Sequence, residues 1–339
     1  MLLISIIFIL VSFIGMYYGA KLVVISLENI AFRLGVSQLL VGLTILAIGT
    51  SLPEIAVSVM GGIDKLYGID PNVDGIIIGN KIGSFLTQIT LILGILGLSQ
   101  SVYVSKWILK REGIMLFLSV FIFLLCAIDG VITSLDAIIM IAIYFIYLLI
   151  VIKSEKKLER KRQEIKYSEK ERLDPLSLKP IEILLKPSTL KKDISFLLVG
   201  FLILLGSAEI VILAAHSLAI ELNIPLSVVG LLIVGLCTSL PELVADLTAL
   251  RRESHGIAVG DILGSNICDI LLATGAGALI VDFNVDPILI MFDIPVLFIA
   301  ISLAYYFLWT EKTLKKWEAA CLVNFYVVYV VIKLLYFQV

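Results

Sequence analysis

The sequence predicts an all-α polytopic membrane protein of ten transmembrane helices, arranged as two inverted five-helix repeats. Three observations carry that expectation. There are sustained apolar runs of spanning length, a one-sided distribution of basic residues, and a motif that recurs 188 residues later with an odd number of spans between its copies. Of 339 residues 60% are hydrophobic and 16% charged, with a mean hydropathy of +1.08, where soluble domains carry about a quarter charged residues. That balance argues against a water-soluble enzyme and a disordered chain. A net charge of -2 offers no basic face to a nucleic acid. Cys126, Cys237, Cys268 and Cys321 stand singly in apolar runs, so they read as buried small side chains and not as a zinc or disulfide framework.

A hydrocarbon core of about 30 Å requires about 20 apolar residues per helix. Ten stretches qualify, near 2–30, 37–61, 75–99, 112–128, 131–152, 194–219, 226–250, 256–281, 287–309 and 314–337. The first is too long for a signal peptide and lacks a small-residue cleavage pattern before Lys21, so it reads as a retained helix. The organisation expected is a first repeat over 1–152, a loop over 153–193 and a second repeat over 194–339. Of 26 Lys and Arg, 13 lie in the loop, whose part from Lys156 to Arg172 suits a helix. With that loop in the cytoplasm and the N-terminus outside, Arg33, Lys106, Lys110, Arg111, Arg251, Arg252, Lys312, Lys315 and Lys316 also fall inside. Only Lys65 falls outside, among Asp64, Asp70, Asp74, Asp129, Glu221, Asp282 and Asp286. Such asymmetry fixes the orientation of a multi-pass cell-membrane protein.

The pentapeptide Thr-Ser-Leu-Pro-Glu occurs at 50–54 and again at 238–242, and each copy is followed by a Gly-Ser pair, Gly83-Ser84 and Gly264-Ser265. Five spans separate the copies, so they face opposite ways. Duplicated, interrupted helices in that arrangement mark a secondary transporter with a site near the midplane. Pro53 and Pro241 lack an N–H and clash with the carbonyl four residues earlier, which frees backbone oxygens near Gly49 and Cys237. Beside each break sits a carboxylate, Glu54 or Glu242. An uncompensated charge at that depth costs at least about 2.5–3.5 kcal/mol, so these acids are either protonated or hold a cation between them. Thr50, Ser51, Thr238 and Ser239 add hydroxyls and carbonyls, an all-oxygen set suited to a hard cation such as Ca²⁺. Ser84 and Gln88 share one helix face, and Ser265 and Asp269 another. His216 and His255 lie outside the motif and read as a helix and a loop residue.

These residues resemble the α-repeats of the cation/calcium exchanger superfamily, above all its microbial sodium/calcium exchangers, with the α-repeats near 37–99 and 226–281. The resemblance implies antiport of Ca²⁺ against Na⁺, the ions being substrates and no cofactor being needed. It implies that Glu54 and Glu242, helped by Thr50 and Thr238, are the main Ca²⁺ ligands. Ser51, Ser84, Gln88, Ser239, Ser265 and Asp269, with backbone oxygens at Ala47 and Gly235, would serve Na⁺ or shared sites. It further implies that the first and sixth helices slide. The partners expected are the bilayer and inorganic cations, with no nucleic acid, and a chain that works as a monomer.

Two departures stand out. Phe85 replaces the usual Asn, and Gln88 stands where Asn or Asp is expected, keeping an amide oxygen on a longer arm. Lys81 shares the face of Ser84 and Gln88, whereas its counterpart is Ile262. It is either a tethered cation near one Na⁺ position or a side chain snorkelling towards a headgroup. Lys21 and Glu209 occupy equivalent positions and could pair, whereas Asp246 and Asp293 read as vestibule- or headgroup-facing. With Glu54, Glu242 and Asp269 ionised, Ca²⁺ neutralises two of three charges and three Na⁺ neutralise all. Proton- or potassium-coupled exchange and a cation channel remain alternatives. Gly260-Asp261 looks like part of an intramembrane aspartyl protease motif, but the preceding glycine is Ala258 and no Tyr-Asp partner exists, so no enzyme is expected.

Overall fold

A computed structural model describes residues 2–33, 47–104, 106–170, 189–251 and 255–336. The predicted run 37–61 and loop 153–193 therefore lie partly outside the described residues. The described chain is almost entirely helical. Helix α1 covers Leu2–Arg33, and α2 (Ala47–Thr50) is followed by α3 (Leu52–Leu66). Helix α4 (Asp74–Leu86) runs through a π-helical turn, Thr87–Ile92, into α5 (Leu93–Ser99). Helices α6 (Lys106–Ala127), α7 (Ser134–Lys170) and α8 (Leu190–Leu222) follow. Then α9 (Leu226–Val229) passes through a π-helical turn, Gly230–Val234, into α10 (Gly235–Thr238), with α11 (Leu240–Arg251) beyond. Helix α12 (His255–Cys268), a π-helical turn at Asp269–Ala273 and α13 (Thr274–Ala278) form one unbroken rod. A last π-helical turn, Leu289–Asp293, opens α14 (Ile294–Glu311), and α15 is Lys316–Tyr336.

Eight of these helical stretches are long and apolar enough to cross a membrane. The fourth predicted run belongs to α6, whose start carries Lys106, Lys110, Arg111 and Glu112. The fifth belongs to α7, which continues to Lys170, so the expected helical start of the loop is present as far as it is described.

The rods Asp74–Ser99 and Ala258–Ala278 form the centre and are mostly buried, whereas Leu3–Val23 and Leu190–Leu222 are buried over a minority of their residues. Those two peripheral helices, α1 and α8, pack chiefly along each other. Their outward faces keep large apolar side chains such as Leu3, Phe8, Leu198 and Leu202 exposed, as lipid contact requires.

Turns fall into two bonded sets. At one end, the strand Val102–Tyr103 pairs antiparallel with Thr313–Leu314. There too the Gln100 amide donates to the Leu250 carbonyl at 2.6 Å, and the ring of Tyr103 meets His255 edge-on at 5.2 Å. At the other end Val131–Ile132 pairs with Phe283–Asn284. Lys65 Nζ there donates to Asp74 at 2.6 Å and to the Asp282 carbonyl at 2.8 Å, and His216 bonds Asp70.

In the centre, α4 meets the π-helical turn Gly230–Val234 backbone to backbone. A Cβ on Gly83 would fall 1.9 Å from the Leu231 carbonyl oxygen, and one on Gly235 would fall 2.6 Å from the Ser84 nitrogen. Small residues that let helices approach this closely are the usual packing device within a bilayer.

Asp293 departs from its expected outward orientation. It is fully buried, accepting from Lys333 Nζ at 2.5 Å and from Tyr329 Oη at 2.6 Å, and so joins α15 to the start of α14. The anticipated Lys21–Glu209 pairing is not found. Lys21 is exposed with its Nζ 5.9 Å from the Tyr17 ring centroid, and Glu209 adjoins Asp64. All four cysteines are free.

Two outcomes follow for stability. Gly83→Ala should lower the unfolding midpoint in detergent, at a cost of about 1–3 kcal/mol from overpacking. Gly206→Ala, where nothing lies within 4 Å of the added Cβ, should leave it unchanged. Lys333→Met should cost about 3–5 kcal/mol by leaving a buried carboxylate uncompensated, and a second change, Asp293→Leu, should restore most of the loss. A Lys333→Met variant as stable as the parent would contradict this account of the pair.

Candidate functional site

Two helix breaks create the site. Ser51 separates α2 from α3 and Ser239 separates α10 from α11. Their backbone angles nearly coincide, with φ -76°, ψ 2° and φ -83°, ψ 2°. Each break lies two residues before a proline, Pro53 or Pro241, whose missing N–H cannot continue the hydrogen-bond ladder. Each is followed three residues on by a fully buried glutamate, Glu54 or Glu242. The third acid, Asp269, opens the π-helical turn after α12, and Gln88 lies in the corresponding turn after α4. Such turns are frequent at functional sites because they widen the helix and re-aim a side chain.

Ser84 is where the elements meet. Its hydroxyl lies 3.1 Å from Glu54 Oε1, 2.8 Å from Ser239 Oγ and 3.4 Å from Asp269 Oδ2. Gln88 Nε2 donates to Ser84 Oγ and to Asp269 Oδ2, both at 3.1 Å. Glu242 lies close enough to Glu54 and Asp269 for their charges to interact. Residues from four separate helical segments thus converge. Ser51, Ser239 and Ser265 are fully buried, and Thr50 and Thr238 almost so.

The hydroxyls are not equivalent. Thr238 Oγ1 lies 3.0 Å from Asn80 Oδ1 and 3.3 Å from the Gly235 carbonyl, which also accepts from Ser239 at 2.9 Å. Ser265 turns back onto the Asp261 carbonyl at 2.5 Å, the bond a serine in a membrane helix commonly makes. Ala47 lies at the start of α2, which packs against α12.

The polar balance of this centre is unusual. Glu242 Oε1 and Oε2, Glu54 Oε2, Asp269 Oδ1 and Gln88 Oε1 are buried with no hydrogen-bond donor among the described residues. Buried polar atoms are ordinarily satisfied, and orphaned carboxylate oxygens are the most costly to leave so. A cluster rich in acceptors and poor in donors is electrostatically complementary to a cation. Among the described residues, no three His, Cys, Asp or Glu side chains come close enough to hold a metal by themselves. The remaining ligands would come from hydroxyl, amide and backbone oxygens, a set suited to an ion that arrives and leaves.

Asn80, Asp246 and Asp261 adjoin the site although motif spacing assigned none of them a place in it. Asn80, on α4, meets the Thr238 hydroxyl from the facing repeat. Asp261 lies 3.4 Å from the Thr50 hydroxyl and beside Asp246, which is fully buried and not vestibule-facing. Their signal was present, since Asp246 stands one helical turn beyond Glu242, but spacing alone does not say what that face meets. Lys81 is wholly buried and does not snorkel, its Nζ bonding the Glu54 carbonyl oxygen at 2.5 Å.

The sequence matches the family described as "Sodium/calcium exchanger protein" over residues 4–153 and 192–335. A membrane protein of Methanocaldococcus jannaschii is 29% identical over 333 residues, covering 97% of each chain. A sodium/calcium exchanger of Methanosarcina acetivorans is 29% identical over 354 residues, covering 98% of this chain and 99% of that one. A solved structure of the sodium–calcium exchanger NCX_Mj, soaked with Na⁺ and Ca²⁺, superimposes with a TM-score of 0.62 at 27% identity, covering 98% and 99% of the two chains. With matches running through both helical parts, this chain is a multi-pass integral membrane protein of the sodium/calcium exchanger family.

Proposed function

We propose that this protein is a secondary antiporter exchanging Ca²⁺ for Na⁺ by alternating access. The observation that carries the reading is the convergence of Glu54 and Asp269 on the Ser84 hydroxyl, with Glu242 within charge range of both and at least one oxygen of each carboxylate left without a donor among the described residues. Glu54 and Glu242, with the carbonyls of Thr50 and Thr238, would hold Ca²⁺. Ser51, Ser84, Gln88, Ser239, Ser265 and Asp269, with backbone oxygens of Ala47 and Gly235, would serve Na⁺. The ions are substrates, and one chain carries the full ligand set, so the chain would work as a monomer. That the Methanosarcina acetivorans relative and NCX_Mj are sodium/calcium exchangers supports this choice of ions.

The proposed scaffold is ten spans in two inverted halves, 1–152 and 194–339, joined by the loop over 153–193. The matching breaks at Ser51 and Ser239 support it. So do the two ribbons, since each joins a turn of the first half to a turn of the second at opposite ends of the molecule. One end carries Lys106, Arg251, Lys312 and Lys316 and the other Asp64, Asp70, Asp74 and Asp282, which favours a cytoplasmic loop and an outside N-terminus. Movement would fall to α1 and α8, which pack mainly on each other. A cavity of about 380 Å³ separates α1 from the breaks, lined by Tyr17, Tyr18, Pro53, Thr238 and Pro241.

A proton-coupled exchanger is the second reading, favoured by the adjoining carboxyl groups of Asp246 and Asp261, since carboxylates can trade H⁺ for a metal ion. Uptake of radiolabelled Ca²⁺ into proteoliposomes under separate Na⁺, K⁺ and H⁺ gradients decides. A Na⁺ gradient alone should drive uptake. Glu54→Gln and Glu242→Gln should each slow it about tenfold or more, the equivalent of about 1.4 kcal/mol or more of lost ion binding. Uptake driven by a pH gradient and indifferent to Na⁺ would select the second reading, and current without a counter-ion would make the protein a channel.

A further inference from the structure

The acid centre holds a positive charge of its own. Lys81 lies on α4, one turn before Ser84, and its side chain has no exposed surface. Its ammonium bonds the backbone oxygen of Glu54 at 2.5 Å and lies within charge–charge range of Asp269 and Glu54. An ammonium on a backbone carbonyl between carboxylates takes ligands that a sodium ion would take.

The contrast with Lys333 is informative. Both lysines are fully buried, but Lys333 has a carboxylate outside the site as its partner, Asp293 at 2.5 Å. Lys81 draws its compensation from the carboxylates offered to the transported ions. An ammonium buried within a membrane is tolerated only with such compensation. The corresponding position of the second repeat holds Ile262, so the charge has no symmetric equivalent and is not required by the packing of the repeat.

Its effect on loading follows from counting charges. Glu54, Glu242 and Asp269 supply three negative charges and Lys81 returns one positive charge. The remainder is balanced by one Ca²⁺ or by two Na⁺. A third Na⁺ would leave an unbalanced positive charge in a low-dielectric centre and would compete with the ammonium for the Glu54 oxygen. Asp246 and Asp261 adjoin each other beside Glu242, and the count takes their charge as the same in both loading states.

Resting on the exchange reading above, we propose that Lys81 is a tethered substitute for one Na⁺, so that this protein exchanges two Na⁺ per Ca²⁺ without net charge transfer. Lys81 is thereby the residue that sets the coupling ratio.

The test is the equilibrium Ca²⁺ ratio across proteoliposomes at a fixed Na⁺ gradient, with the membrane potential clamped by K⁺ and valinomycin. In the wild-type protein a step of about 100 mV should leave the ratio unchanged, whereas transfer of one charge per cycle would move it about fifty-fold. Lys81→Gln, which keeps length and an amide oxygen but loses the charge, should admit a third Na⁺ and acquire the fifty-fold response. Lys81→Arg should retain the parental insensitivity. A potential-dependent wild type, or a Lys81→Gln protein whose ratio stays insensitive, overturns the inference while leaving Na⁺/Ca²⁺ exchange intact. Should Lys81→Gln fail to assemble, the potential dependence of the wild type decides by itself. Absence of any Na⁺-driven Ca²⁺ movement in the wild type would remove the exchange reading, and this inference with it.

Discussion

Three ionised carboxylates buried beside one another require a counter-charge, and the rest of this structure is arranged around that constraint. Glu54, Glu242 and Asp269 present oxygens that no donor among the described residues satisfies. The protein supplies one ammonium, that of Lys81, and leaves the remaining balance to be made by ions. On the exchange reading, this is also what couples the two substrates. An empty centre keeps its mutual repulsion and is a poor candidate for crossing, whereas a loaded one is electrically quiet.

Holding such a centre in place depends on the backbone more than on side-chain bulk. The breaks at Ser51 and Ser239 set each glutamate just past an interruption in its helix, while the π-helical turns at Thr87–Ile92 and Asp269–Ala273 carry Gln88 and Asp269. The approach of Gly83 to Leu231 and of Gly235 to Ser84 then brings the Ser84 hydroxyl to within hydrogen-bond distance of Ser239. This central block is tightly packed and tied at both ends by short ribbons. By contrast α1 and α8 lie at its edge, bound mainly to each other. On the exchange reading, a site held by the central block and flanked by two helices bound mainly to each other is the division of labour that alternating access requires.

Much of this was legible in the residues themselves. Apolar length gave several helices closely, such as Asp74–Ser99 and Leu226–Arg251, but not the polar extension of α7 to Lys170, because a bilayer sets the length of the apolar part alone. The doubled Thr-Ser-Leu-Pro-Glu segment located both breaks and both glutamates, since proline and a buried acid each constrain the backbone or its surroundings strongly. What spacing could not supply was the identity of the facing partner. Lys81 was placed on the face of Ser84, but whether it turned inward depended on the Glu54 carbonyl, which belongs to another helix. Asp293 and Lys333 are 40 residues apart and carry no common motif, so their ion pair emerges only once α14 and α15 pack. Asp246 and Asp261 likewise become neighbours only once α11 and α12 pack together.

The most direct test of the central claim is where a divalent cation sits. A crystal structure of the protein with Ca²⁺ or Sr²⁺ bound, with the ion located by anomalous scattering, should show one strong peak between the carboxylates of Glu54 and Glu242, within ligand distance of both. A divalent ion found instead beside Asp246 and Asp261, or a centre that takes none while transport proceeds, would contradict the account.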